Sequence, residues 1–315
     1  MEACRVCSER CWELFCKVPD RLRGITDRIW EVQRCQNCGL GVTFPLPREA
    51  DLLDIYPSGY WGDVRRTVDE YCSGELLRTR SWRKETEKVR LVEQFVTGGR
   101  ILDVGCADGK FLWALDGNRW ERTGVEPTPK IVDIVRARIP QVRLLTLDIF
   151  SPELPAEGFD AISFWHVLEH LHEPKKVIRR VVDLLRPGAW LFVSVPNLNS
   201  LQAAVFRRHW YAFDDVPRHL FHFSPNSLRL LLQSAGLNVR KLFSFSRMIN
   251  FHCLKYSLIN WSEARFRSRF PYYLLKPFLF GFASLERVVS RHGIITMVAQ
   301  KPGSSSEQCC LNLFS

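Results

Sequence analysis

The stretch Arg100-Ile-Leu-Asp103-Val-Gly105-Cys-Ala-Asp108-Gly109-Lys-Phe-Leu decides the fold. A short apolar run, a glycine turn and a helix start follow one another, as when a buried parallel strand hands over to the helix that crosses back over its sheet. Such a turn aims backbone N–H groups and a helix N-terminus at a ligand. The glycines stand four apart and an acid closes the strand, so the loop departs from the Gly-x-Gly-x-x-Gly pattern of dinucleotide sites. A carboxylate there repels a pyrophosphate but can hold an ammonium group.

Working outward, Arg122-Thr-Gly-Val-Glu126 reads as the next strand, ending in an acid about twenty residues after the loop, where a carboxylate can accept both hydroxyls of a ribose. A third strand around Val142–Thr146 leads to Asp148-Ile149, beside the expected adenine edge. Phe159–Phe164 and Leu185–Pro196 are further buried runs. Apolar runs alternating with helical segments indicate βαβ units, hence an α/β fold with a doubly wound, mostly parallel sheet.

The loop, Glu126, Asp148, the segment Phe159–Leu171 and Leu185-Arg-Pro-Gly188 through Pro196-Asn197 resemble, in order, the motifs of class I S-adenosylmethionine-dependent methyltransferases over about residues 98–245. The resemblance implies a seven-stranded Rossmann-like sheet with S-adenosyl-L-methionine as cofactor. It places Asp103, Gly105 and Gly109 at the methionine part, Glu126 at the ribose, and Asp148 with Ile149 at the adenine. Cys106 within the loop and Trp165 after the fourth strand complete the expected cofactor contacts. Such sheets finish in an antiparallel hairpin, here Asn238–Phe245 and Ile294–Gln300.

Trp165-His166-Val-Leu-Glu169-His170-Leu-His172-Glu-Pro174 follows the fourth strand, and helical spacing sets His166, Glu169 and His170 on one face. It is similar to the Glu-His segment of ubiquinone-biosynthesis O-methyltransferases, which implies a second divalent cation; His166 stands where that family has an acid. The alternative is a hydrogen-bonded Glu–His pair with a purely structural role. Farther on, Arg207 to Ser224 gathers aromatic and titratable groups, with Ser224 as a helix N-cap. His219 is the preferred general base, ahead of His166, with Glu169 and His170 as the other candidate catalytic groups. The structural alternative for His219 and His222 is bonding to the backbone.

Before this domain, Cys4-x-x-Cys7 and Cys35-x-x-Cys38-Gly39 form two thiolate pairs, and six of the eleven cysteines lie in the first 38 residues. Four soft ligands at this spacing suit tetrahedral zinc. With strands at Ile29–Arg34 and Leu40–Phe44, residues 1–47 read as a zinc ribbon; Cys11 and Cys16 lie off the paired spacing, and free buried thiols are the alternative. Residues 48–97 read as a helical linker with a helix from Glu75 to Phe95, and 98–301 as the methyltransferase domain. Residues 302–315 read as a flexible tail.

Within the hairpin, residues 246–292 are an apolar insertion containing Phe270–Ala283, edged by Arg265, Arg267, Arg269, Arg287 and Arg291. It is too short and interrupted to span a bilayer, but suits peripheral membrane contact through 265–291 or a greasy acceptor; a buried cap or dimer contact is the alternative. A 46% hydrophobic, 25% charged composition excludes a disordered chain, and the absence of a leader-like opening suggests a cytoplasmic protein. The net charge of +10 favours anionic partners without selecting one. The expected function is O-methylation of a small-molecule or lipid-linked acceptor. RNA methylation and sugar C-methylation are the alternatives, nucleic acid being disfavoured because the basic residues are dispersed.

Overall fold

A computed structural model describes residues 2–303 apart from 23, 26, 49–50, 52–54, 57–61, 76–78 and 245–246. Three antiparallel strands open the chain, β1 (Trp12–Pro19), β2 (Ile29–Cys35) and β3 (Gly41–Phe44), followed by helices α1 (Val64–Cys72) and α2 (Arg80–Glu93). The alternating part runs β4 (Gly99–Val104), α3 (Lys110–Ala114), β5 (Trp120–Val125), α4 (Pro129–Arg136), β6 (Arg143–Leu145), β7 (Phe159–Trp165), α5 (Pro174–Leu184), β8 (Leu185–Pro196) and α6 (Leu201–Phe206). Then come β9 (Phe221–His222), α7 (Pro225–Ser234), β10 (Asn238–Phe243), α8 (Arg247–Phe266), α9 (Phe270–Leu275), α10 (Leu279–Val288) and β11 (Ile294–Gln300).

The main sheet has the order β10, β11, β8, β7, β4, β5, β6, parallel except for β11, which runs antiparallel to both β8 and β10. This is the expected doubly wound, seven-stranded arrangement. Its central strands β4, β7 and β8 are apolar on both faces because both are covered. On β7, Ile162 and Phe164 enter one core with Ile178, Val181, Leu228 and Leu231, while Ala161 and Trp165 enter another with Val68, Phe111 and Val132. The chain leaves β4 toward β5 and β6, then crosses to β7. The crevice between β4 and β7 is therefore the switch point where such sheets bind ligands.

Two local expectations are corrected. The helix expected from Glu75 to Phe95 begins only at Arg80, as α2, where the Thr79 side chain accepts from Trp82 N to cap it; α1 precedes it and ends before Gly74, which adopts φ +84°. Leu76 and Leu77, assigned to its apolar face, lie outside the described residues. The segment from His166 to His172 is a loop with one 3-10 turn at Leu168–His170. His166 holds φ +60°, which no helix accommodates, and Pro174 disfavours helical backbone at Glu173.

The sequence reading did not anticipate β1, whose alternation is broken by a bulge between Leu14 and Cys16. Nor did it anticipate β9, two residues long, which pairs antiparallel with β3 through Gly41–His222 and Val42–Phe221. The N-terminal strands and the loop before α7 thus share one four-stranded sheet. Gly41 is required there, since a Cβ would stand 2.7 Å from Leu198 Cδ2 and 2.9 Å from His222 Cβ. Among the described residues, no helix is long and apolar enough to cross a membrane.

Candidate active site

Parallel register sets Asp103, at the end of β4, beside Ser163 of β7 and Gly124 of β5. Ser163 Oγ donates to Asp103 Oδ1 at 2.6 Å. Asp103 is buried, and loss of solvent pushes its carboxyl up to about 7 against the opposing Ser163 bond and the Lys88 charge. A cationic ligand group would restore the carboxylate. Glu126, at the end of β5, is also buried and raised by burial; Thr128 N donates to its Oε1 at 3.1 Å, fixing its orientation.

Between them the loop turns through left-handed positions at Gly105 (φ +67°), Ala107 (φ +46°) and Gly109 (φ +73°), the last serving as N-cap of α3. A Cβ on Gly105 would meet Val167 Cγ2 at 2.7 Å, and one on Gly124 would meet Cys106 Sγ at 2.6 Å. Cys106 is buried, with its N–H bonded to Val125 O at 3.2 Å. Trp165 stacks edge-on against Phe111, centroids 5.3 Å apart. Asp148 is exposed at the surface end of β6, its Oδ1 accepting from Phe150 N at 2.7 Å, whereas Ile149 packs in the core.

Residues outside the anticipated motifs close over this crevice. Tyr71 of α1 donates its hydroxyl to Asp108 O at 2.6 Å, pinning the helix to the glycine loop. Lys88 of α2 pairs with Glu85 at 2.8 Å and lies 5.4 Å from the Trp165 ring centroid. Neither helix carries a local motif pointing to this role.

Across the Gly105–Val167 contact lies a second cluster. Glu169 is 1% exposed, and among the described residues neither of its carboxylate oxygens has a hydrogen-bond partner; His166 Nδ1, at 3.5 Å, is too distant for a strong bond. Burial alone would raise Glu169, but the facing histidines His166, His170 and His219 outweigh it and hold the carboxyl below its ordinary value. His219 Nδ1 lies 2.8 Å from Ala212 O, and His170 Nδ1 lies 3.0 Å from Arg218 O. Carbonyls only accept, so Nδ1 carries a proton on both rings.

One ligand atom from each of Glu169, His170 and His219 lies within 4.8 Å of the other two, a spacing that could hold a metal ion. His219 therefore joins the cluster, while His166 stands at its edge. Burial, then the neighbouring His219, lowers His170 to about 4.

The cluster rests on a charged scaffold. Arg218, fully buried, donates to Asp20 Oδ1 at 2.7 Å, to Asp215 Oδ1 at 2.6 Å and to Ile55 O at 3.1 Å. Asp215 Oδ2 is 3.6 Å from His219 Nε2. Tyr56 Oη contacts His170 Nδ1 at 3.0 Å. His222 is tied instead to Thr43, with Nε2 3.0 Å from Oγ1, and that hydroxyl donates to His219 O at 2.6 Å.

In the N-terminal sheet, the Cys4–Cys38 and Cys7–Cys35 Sγ pairs are each 3.6 Å apart, and all four sulfurs fall within 4.8 Å of one another. Four sulfurs at Zn–S bonds of ~2.3 Å around a tetrahedral ion stand ~3.8 Å apart, so the set fits zinc. Cys11 and Cys16 are outside it; Cys16 lies in β1, its thiol pushed up to about 12 by burial.

Comparison with known proteins accords with this geometry. The chain is 27% identical over 160 residues to the ubiquinone biosynthesis O-methyltransferase of Chromobacterium violaceum, covering 47% of this chain and 68% of that one. It is 28% identical over 181 residues to the enzyme of that name from Coxiella burnetii, covering 53% and 75%. Its fold resembles that of Haemonchus contortus phosphoethanolamine N-methyltransferase 2 in complex with S-adenosyl-L-methionine, with a TM-score of 0.53 at 15% identity over 92% of this chain and 68% of that one. The methyltransferase domain model matches residues 75–242, just over half the chain. With buried acids at the ends of β4 and β5 beside a switch-point crevice, the chain belongs to the methyltransferase domain family and is an S-adenosylmethionine-dependent methyltransferase.

Proposed function

We propose that this methyltransferase methylates a hydroxyl oxygen on a small acceptor with an apolar body, a quinone-type phenol or a lipid-linked intermediate. The observation that carries the reading is Glu169: a buried carboxylate with no hydrogen-bond partner on either oxygen among the described residues, beside the rings of His170 and His219 and close to the Gly105–Val167 contact with the glycine loop. Buried polar groups are normally paired, so an orphaned one points to a ligand. The O-methyltransferase names of the relatives support the same class.

Asp103 would hold the cofactor ammonium, Glu126 the ribose hydroxyls, and Gly105 and Gly109 would let the backbone approach. Asp148 and Ile149 would border the adenine, with Cys106 and Trp165 as walls. When bound, the cofactor supplies a methyl group on a positively charged sulfur, which an oxygen nucleophile displaces in line. Glu169 orients the acceptor by accepting from one of its hydroxyls. His219 Nε2 takes the proton of the reacting hydroxyl, and Asp215, fixed by Arg218, stabilises the imidazolium formed. His166 and His170 line the same face.

A second reading gives Glu169, His170 and His219 to a divalent cation, favoured by the orphan oxygens and by Nδ1–H groups bonded to carbonyls, the usual second contact of ligating histidines. It would supply Lewis-acid charge to an acceptor oxygen. Zinc is proposed for Cys4, Cys7, Cys35 and Cys38.

The test is turnover on catechols with and without an isoprenoid tail, with product identified by mass and cofactor affinity measured by calorimetry. His219→Ala should lose 10²–10⁴-fold in kcat, with cofactor affinity unchanged. Undiminished turnover removes His219, and an N- or C-methylated product refutes the oxygen acceptor. Binding of Mn²⁺ by wild type and not by Glu169→Gln selects the second reading.

A further inference from the structure

The cap made by the end of α8, α9, the turn Lys276–Phe278 and α10 faces the protein with few side chains. Tyr272, Leu279 and Glu286 are buried, Tyr272 and Leu279 in a core shared with Leu254, Leu258 and Trp210. Phe282 and Ala283 pack partly against the same core, and most of the remaining side chains point outward. Phe270, Phe278 and Phe280 are 64%, 71% and 70% exposed and Val288 82%. Tyr273, Leu274, Leu275, Lys276, Pro277 and Phe278 are exposed consecutively. A folded domain seldom leaves so large a contiguous apolar surface to water unless something covers it.

The charge around that surface says what does. Residues 263–291 contain six basic side chains, Arg265, Arg267, Arg269, Lys276, Arg287 and Arg291, against two acids. Glu286 is buried and Glu263 is paired with Arg269, so the outward charge is positive. Arg265 also lines a cleft of about 490 Å³ at the foot of α8, together with Arg207, Arg208, Phe15 and Trp261, so the basic rim continues into a pocket with aromatic walls.

We infer that this cap is a docking face for an anionic lipid surface. Exposed aromatics enter the acyl boundary, the arginines meet the headgroup phosphates, and the cleft seats one of them. A second copy of the chain fits less well. A two-fold contact would set the same arginines against each other at the rim of an otherwise apolar interface. The inference is independent of the acceptor, since a soluble phenol could be methylated by an enzyme resting on a membrane.

The experiment is co-sedimentation of the full chain with phosphatidylcholine vesicles, with and without 30% phosphatidylglycerol (~0.1 M and ~0.5 M salt). Binding to the anionic vesicles should exceed binding to the neutral ones at least tenfold and fall at high salt. The double variant Phe278→Glu/Phe280→Glu should lose at least tenfold with fold and cofactor binding intact. Arg265→Glu/Arg267→Glu should weaken binding and flatten its salt dependence.

Failure of wild type to bind anionic vesicles, or undiminished binding by the phenylalanine variant, overturns the inference. So does a wild-type dimer that the phenylalanine variant converts to monomer without any vesicle binding. Methyl transfer to a soluble catechol, measured in parallel, separates this outcome from that of the acceptor assignment.

Discussion

Val167 Cγ2 lies 2.7 Å from the point where a side chain on Gly105 would begin, so the glycine loop and the His166–His172 loop touch without room for one more carbon. Gly105 also holds φ +67°, where a Cβ is strained. Left-handed backbone costs ~1–2 kcal/mol and overpacking ~1–3 kcal/mol. Gly105→Ala is therefore expected to weaken cofactor binding by about 10- to 1000-fold in calorimetry, and it should displace Val167 and with it Glu169. Wild-type affinity in this variant would contradict the role assigned to the loop.

Asp103 sets a pH dependence. Burial raises its carboxyl to about 7, so in the ligand-free protein it is largely protonated at pH 6 and ionised at pH 8. Only the ionised form attracts an ammonium, so cofactor affinity should rise as pH increases through about 7. The α-amino group of the cofactor loses its own charge above pH ~8, so affinity should peak between these values and binding below the peak should release protons. Asp103→Asn should bind weakly and without the acid limb. An acid limb that survives this substitution belongs to another group.

The Arg218–Asp20 pair joins the N-terminal segment to the acceptor histidines and is wholly buried. Removing one partner of such a pair leaves an uncompensated charge and costs about 3–5 kcal/mol. Asp20→Ala should therefore lower unfolding free energy in urea by that amount. Because Arg218 O holds His170 and Asp215 faces His219, kcat should fall as well, with cofactor affinity spared. A variant as stable as wild type would show that the pair is not closed in solution.

Zinc should bind at one equivalent per chain, measured by mass spectrometry of the digested protein. Cys35→Ser should abolish it and lower the melting temperature. Since β3 carries β9, the backbone amides of Phe221 and His222 should then exchange with solvent at least tenfold faster. Full zinc in the Cys35→Ser protein would dismiss the four-sulfur site.

What was legible in the sequence is what depends on neighbours along the chain. The strand, glycine turn and helix start at Arg100–Leu112 announce themselves locally, as does the capping box at Ser224, whose hydroxyl accepts from Ser227 N. The acids at Asp103 and Glu126 end strands and are found by counting. Residues that become functional only through distant partners gave no such signal. Tyr71 reaches the glycine loop and Lys88 the Trp165 ring because their helices fold over the crevice, and Asp20 meets Arg218 across 198 positions. His166 was placed on a helix because spacing repeats at three and four; φ +60° at that residue is a tertiary outcome that no period encodes. His219 was singled out by its chemistry, but its partnership with Glu169 needed the fold.

The pairing of β3 with β9 bears on how this enzyme can be dissected. The family match begins at residue 75, and a truncation designed from it would look conservative. It would strip Thr43 from between His219 and His222 and delete Asp20 from the buried arginine. The excised piece would leave Phe221–His222 as a raw edge, open to pairing with other chains. The N-terminal strands and Asp20 thus wall the loop that carries His219, and transplanting this catalytic unit onto another scaffold means transplanting them with it.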